Sequence, residues 1–335
     1  MKQKIAEISF LHVFAILLVV IGHSFFQMES PIVDWIYQFH VPLFFFVSGY
    51  LFNVSVKGKQ IQPHIFLRHK AVRLLLPYFA LSTLLFVPKV LLSQFMVRPI
   101  HTNWGEYVSM LIYPYRNVNG SYWFLPTLFL LFVFAVIVLF LSQRVQRRMS
   151  FTISSLLLFL LALSNILLPF SHDTLFNIIG AIHYAFYFAL GYFVFNFRLM
   201  RFLDKEKTIL LVFLFTLSIS FIGLYVNKSP LMSLFFAVDG ILMSVALARL
   251  YVIYGLHFFH HLSPASYTIY LYHGIFQALS IQILMRFTHF STVFYMFLAI
   301  LTGVYGPFFI YKLLYSYRNS RLRRCLAMIS GFKIS

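Results

Sequence analysis

A chain of 335 residues that is 61% hydrophobic, 20% aromatic and only 10% charged, with a mean hydropathy of +0.85, carries more apolar surface than one soluble core buries. Lipid must be its solvent, and in hydrocarbon every backbone amide is paired within its own segment, so the long apolar runs read as helices; the two-residue alternation of a β-barrel is absent. The net charge of +18 points to nucleic acid only until its distribution is read, and that distribution argues against it. The expected fold class is all-α, a polytopic integral membrane helical bundle.

In chain order the expected spans are roughly residues 5–27, 35–56, 72–97, 121–142, 150–169, 178–197, 208–226, 230–249, 265–287 and 291–316, each near the ~20 residues that ~30 Å of hydrocarbon requires. The first run is expected to be a retained helix and not a signal peptide, because no small-residue cleavage site follows Gln27 and a second apolar run begins almost at once. Between Leu250 and Leu262 the chain is apolar but interrupted by His257, His260 and His261, which suits a segment lying in the interface. Residues 1–317 are expected to form one membrane domain of about ten transmembrane helices, and residues 318–335 a basic cytoplasmic tail.

The basic residues set the orientation. Lys57, Lys59, Arg68, Lys70 and Arg73 are expected in one loop, Arg144, Arg147 and Arg148 in another, and Arg198, Arg201, Lys205 and Lys207 in a third, with Arg318, Arg321, Arg323 and Arg324 in the tail. The opposite loops hold only scattered charges such as Arg98, Arg116 and Lys228. That asymmetry places both termini in the cytoplasm, with contact to anionic lipid headgroups as the ordinary accompaniment. The single cysteine, Cys325, falls in the tail and has no intramolecular partner.

Polar groups at membrane depth are costly and usually face a cavity. His12 and His23 stand eleven residues apart in the first span, close to three helical turns, so they project from one face about 16 Å apart. His40, early on the second span, is expected at a depth comparable with His23, and His273 on the ninth at a depth comparable with His12. A membrane histidine also serves structurally, bonding a neighbouring carbonyl, and each of the four is open to that reading. Asp239 is the clearest carboxylate within a span, with a basic or histidine side chain as a candidate partner; Asp34 is a candidate to orient His23 or His40.

Five segments together resemble the acyltransferase-3 family of membrane O-acyltransferases: HVFAILLVVIGH (His12–His23), FHVPLFFFVSGYLF (Phe39–Phe52), HKAVRLLLPY (His69–Tyr78), YWFL (Tyr122–Leu125) and SYTIYLYH (Ser266–His273). Order and spacing follow the family over nearly the whole chain, most closely its bacterial surface-polysaccharide branch. The resemblance implies an enzyme of a bacterial cytoplasmic membrane that moves an acyl group, commonly acetyl, from cytoplasmic acyl-coenzyme A to a hydroxyl of a glycan on the far side. It implies no metal, and it leaves a homodimer or an association with glycan-synthesis machinery open. In that family an arginine precedes the catalytic first-span histidine by eleven positions; His23 matches the histidine, and His12 occupies the arginine's place. The family's arginine pair at the start of the third span is represented by Lys70 and Arg73.

Those positions make chemical sense. A sugar hydroxyl is a poor nucleophile at neutral pH, and a base with the histidine reference pKa near ~6.5 is suited to taking its proton. His23 is the candidate general base and His12 the candidate oxyanion partner, although with fewer donors than an arginine offers. Lys70 and Arg73, with His273, are candidates to meet the donor, the two cations binding phosphates, and His40 and Trp123 to meet the acceptor. Trp123 equally suits an interfacial anchor, and Lys70 and Arg73 equally suit ordinary positive-inside residues. Pro42, Ser48 and Gly49 are expected to break or thin the second helix. No glycine-rich nucleotide loop, zinc-binding histidine pair or serine nucleophile elbow is present. A secondary transporter or lipid-linked glycan exporter, and an inactive relative of the family, are the competing readings.

Overall fold

The structure, a computed structural model, describes residues 2–25, 29–57, 62–93, 104–144, 151–171, 173–287 and 290–316. Helix dominates and no strand occurs among them. The helices are α1 (Lys2–Ser24), α2 (Pro31–Val56), α3 (Pro63–Leu91), α4 (Trp104–Ile112), α5 (Phe124–Arg144), α6 (Phe151–Leu167), α7 (Ile178–Asn196), α8 (Glu206–Ile222), α9 (Pro230–Ile253), α10 (Ser266–Phe287) and α11 (Thr292–Ser316). A helix lies over each of the ten expected spans. Seven of them, α1, α2, α3, α5, α7, α9 and α11, are long and apolar enough to cross a membrane, and α6 is a shorter apolar helix. Gln27, Lys59, Arg98, Arg147, Arg148 and the tail with Cys325 lie outside the described residues.

Three differences from the expected elements have local causes. Arg68, Lys70 and Arg73 belong to α3 and not to a loop, because the helix begins at Pro63, whose fixed φ and missing N–H suit a first helical position. The short α4 has no counterpart among the expected spans. And α9 runs on to Ile253 before Gly255, at a φ of +62°, turns the chain into a 3₁₀ segment over His260–Ala265; His257, His260 and His261 are exposed there.

The chain forms two compact units: Met1–Ile61, Leu139–Pro169 and Ile182–Ser266 in the first, Gln62–Val138, Phe170–Ala181 and Tyr267–Ser335 in the second. In the first unit α2 is packed against α1, α7, α8 and α9. Its start is fixed by Ser30, whose hydroxyl accepts from the Ile32 amide at 3.3 Å, and by Pro31 at the first position. Leu18, Ile36, Phe39 and Met243 make a buried core between α1, α2 and α9, and Trp35 ties α2 to α8 by donating to Ser220 at 2.8 Å.

α2 is continuous through Pro42, Ser48 and Gly49, so the expected break is not there. Gly49 instead lets two backbones touch: a Cβ on it would stand 1.8 Å from the Phe188 carbonyl oxygen of α7, and one on Gly191 would stand 1.9 Å from that of Phe46. Small residues at such crossings are what packing in lipid demands, because van der Waals contact replaces the hydrophobic drive. Asn53 extends the seam by donating to the Tyr192 carbonyl at 3.0 Å.

In the second unit, Tyr78 of α3 reaches the end of α4, its hydroxyl 2.9 Å from the Met110 carbonyl. Arg116, in the short 3₁₀ turn after α4, is paired with both carboxylate oxygens of Asp173 and also donates to Ser109 at 3.1 Å. The guanidinium holds the Asp173 carboxyl below its ordinary value of 3.8.

Candidate functional site

The first unit gathers imidazoles around the C-terminal end of α1. His23 is the next-to-last residue of that helix and its side chain is exposed. α2 descends beside it. The Tyr37 hydroxyl bonds the Gly22 carbonyl at 3.4 Å, and its ring covers Gly22 so closely that a Cβ there would meet Cε1 at 2.7 Å. The other face of the relation is His40, whose ring centroid is 5.0 Å from that of Tyr37. His40 follows Tyr37 by three residues, about one turn of α2, and its ring is within electrostatic range of that of His23.

His40 is buried, with Nδ1 3.0 Å from the Ile36 carbonyl. A carbonyl only accepts, so Nδ1 carries the proton, and in the neutral ring Nε2 is left as an acceptor. His12 is half-buried in the middle of α1, and the unbroken helix keeps it on the face of His23 at about 16 Å.

Two carboxylates do not take the expected roles. Asp34 is exposed in the first turn of α2 and pairs with Lys228 at 3.9 Å, not with a histidine. Asp239, beside the Gly240 that seats Phe39, is buried, and its Oδ2 has no hydrogen-bond partner among the described residues.

At the other end of the first unit stands a residue the sequence reading passed over. Arg249, near the C-terminal end of α9, is mostly buried; it donates to the Leu203 carbonyl and to Asp204 at 3.0 Å, and lies 4.0 Å from Glu7 of α1. An arginine inside the apolar run SVALARLYVI was the available signal.

The second unit holds the other candidates. Lys70 is set 4.0 Å from the Phe132 ring centroid. Arg73, exposed one turn on, lies 5.3 Å over the ring of Tyr267, whose hydroxyl donates to the Arg73 carbonyl at 2.7 Å. Cation–ring contacts of this kind orient a charge without neutralising it. His273 follows Tyr267 on α10 by six residues, about 9 Å along the axis. It is fully buried, and its Nδ1 donates to the Tyr270 carbonyl at 2.7 Å.

Around it runs a network of tyrosines and asparagines also missed from the sequence. Tyr270 donates to the Ser121 carbonyl at 2.6 Å and Tyr122 to that of Leu271 at 2.9 Å. Asn119 accepts from the Ser121 amide and hydroxyl, and Asn117 bonds Ser82 at 2.7 Å. Lys89 donates to the Val118 carbonyl. Trp123, half-buried in the turn just before α5, stacks on Tyr115 with centroids 5.0 Å apart. The turn-forming Asn-Gly pair at Asn119–Gly120 was the sequence signal for this structured loop.

The described residues thus form a helical bundle whose longer apolar helices suit a membrane, with the His23 imidazole exposed and that of His40 buried nearby. The model of the acyltransferase-3 family, described as an acyltransferase domain, matches residues 5–312, and the chain belongs to that family. It is a multi-pass membrane acyltransferase. No curated protein matches the chain, and no solved structure does.

Proposed function

We propose that the protein transfers an acyl group, acetyl in the first instance, from cytoplasmic acyl-coenzyme A to a hydroxyl of a cell-surface or lipid-linked glycan at a bacterial inner membrane, with His23 as general base. The observation that carries this reading is the exposed His23 ring beside the fixed Tyr37–His40 pair. In the proposed step an imidazole nitrogen of His23 takes the acceptor hydroxyl's proton as its oxygen attacks the thioester carbonyl. The tetrahedral intermediate collapses by breaking the C–S bond, and the proton passes to the leaving thiolate.

His40 presents its Nε2 as an acceptor and suits an acceptor-sugar hydroxyl. Lys70 and Arg73 suit the phosphates of the donor, the lysine as a point charge and the arginine with its fork, and His273 is assigned with them to the donor; Trp123 offers a ring for a sugar face. His12, in the place of the family arginine, has fewer donors for an oxyanion, which is the one observation favouring an inactive relative.

Binding of acetyl-coenzyme A to the detergent-purified protein, compared with a Lys70→Ala, Arg73→Ala double variant, tests the donor site. Saturable binding that the variant loses supports the reading. No binding of acetyl- or succinyl-coenzyme A by folded protein turns it toward a transporter or an inactive relative.

A further inference from the structure

Positive-inside bias explains why basic residues are numerous on one face of a membrane protein, but not why several converge on one concavity. In the first unit a cavity of about 430 Å³ opens where α2 and α7 end and α9 approaches the start of α1. Its charged lining is Lys57, Arg198, Arg201 and Arg249 against Glu7 and Asp204. Both acids are engaged by Arg249. Lys57, Arg198 and Arg201 are exposed, and none of them has a carboxylate partner among the described residues. Phe195 supplies an apolar wall, with the Lys57 ammonium 5.3 Å from its ring centroid.

The backbone adds an independent sign. Arg198 follows α7 in the left-handed region, at φ 54° and ψ 35°. A bulky side chain there is held against its own preference, and glycine fits without strain. The turn is closed by the Arg201 amide donating to the Arg198 carbonyl at 3.3 Å, which puts both guanidinium groups on the rim of the same cavity. The volume lies within the range of small-molecule sites.

We infer that this cavity, whose lining includes neither Lys70 nor Arg73, is a phosphate-binding site that takes a phosphate group attached to an apolar or aromatic moiety. The two chemical sources are the headgroup of an anionic lipid and the phosphate of a soluble ligand. Guanidinium forks supply charge-assisted, often bidentate bonds to phosphate oxygens, and the ring of Phe195 borders the attached group. The inference does not depend on the acyl-transfer reading, and its test involves no acyl donor.

The test is a titration of the full chain in neutral detergent with pyrophosphate at constant ionic strength, read as the rise in thermal midpoint. Wild type is expected to show a saturable rise, and Arg198→Gly with Arg201→Gln to require at least about tenfold more pyrophosphate for the same rise. Because glycine relieves the left-handed turn, Arg198→Gly alone keeps or raises the midpoint without ligand while weakening the titration, which separates lost binding from lost folding. Lys57→Gln weakens it as well, and Lys207→Gln, exposed and outside the lining, leaves it unchanged.

No saturable rise in wild type, an undiminished rise in the double variant, or an equal loss in Lys207→Gln overturns the site. Repeating the titration in phosphatidylcholine nanodiscs with and without phosphatidylglycerol identifies the source. Suppression by the anionic lipid supports a headgroup in the cavity, and persistence of the rise supports a soluble phosphate ligand.

Discussion

The ring of Tyr37 packs 5.0 Å from that of His40 while its hydroxyl bonds the carbonyl of Gly22, the residue before His23. One side chain thus fixes the spacing of two histidines on different helices. Gly22 is required for that contact, since a Cβ there meets the Tyr37 ring at 2.7 Å. Gly22→Ala is expected to keep membrane insertion and acetyl-coenzyme A binding while slowing acyl transfer by about tenfold to a hundredfold, the scale of a small misplacement of reacting groups. Transfer at the wild-type rate would show that the spacing is not used.

Gly49 and Gly191 test the packing of α2 on α7. A methyl group at either falls under 2 Å from a carbonyl oxygen of the facing backbone, and no rotamer change relieves a backbone clash. Gly49→Ala and Gly191→Ala are each expected to cost at least about 1–3 kcal/mol, the usual range for overpacking. The pair together is expected to cost less than the sum, because one separation of the helices relieves both. Thermal unfolding of the purified variants measures it.

The Arg116–Asp173 pair gives a pH dependence of known sign. The folded Asp173 carboxyl titrates below 3.8, so its stabilising contribution is fully present above that value and is lost as pH falls through the lower, folded value. Wild type is expected to be more stable than Asp173→Asn at neutral pH, with the difference shrinking below about pH 4. Both side chains are half-exposed, so the difference is small and weakens with salt. A gap that is constant from neutral to acid would contradict the pairing.

Tyr270 and Tyr122 each satisfy a buried carbonyl across the second unit. Tyr270→Phe and Tyr122→Phe are each expected to destabilise by about 0.5–1.5 kcal/mol, the range for one lost hydrogen bond. Lower thermal midpoints with a wild-type helical spectrum would bear this out.

Hydropathy made the helices legible because lipid leaves so few choices: an apolar run of sufficient length is paired within itself or not at all. It misjudged α3, which starts at Pro63 and not near 72, because Arg68, Lys70 and Arg73 read as loop although a helix continues freely past the hydrocarbon edge. That His12 and His23 share one face of α1 followed from counting turns. The Lys228 partner of Asp34 and the Asp239 Oδ2 left unpartnered among the described residues did not, because which helices face each other depends on contacts such as Gly49 on Phe188 and Gly240 on Phe39 that no periodicity encodes. Arg249 was legible in principle, as a charge inside an apolar run, but its partners Glu7 and Asp204 lie far away in sequence.

The central claim is that His23 takes the acceptor proton. It is tested most directly by following the acetyl label of acetyl-coenzyme A into envelope glycan in membranes holding equal amounts of wild-type or His23→Gln protein. The account predicts labelled glycan with wild type and none above background with His23→Gln, while the variant still binds acetyl-coenzyme A. Labelling by His23→Gln at the wild-type rate would contradict it.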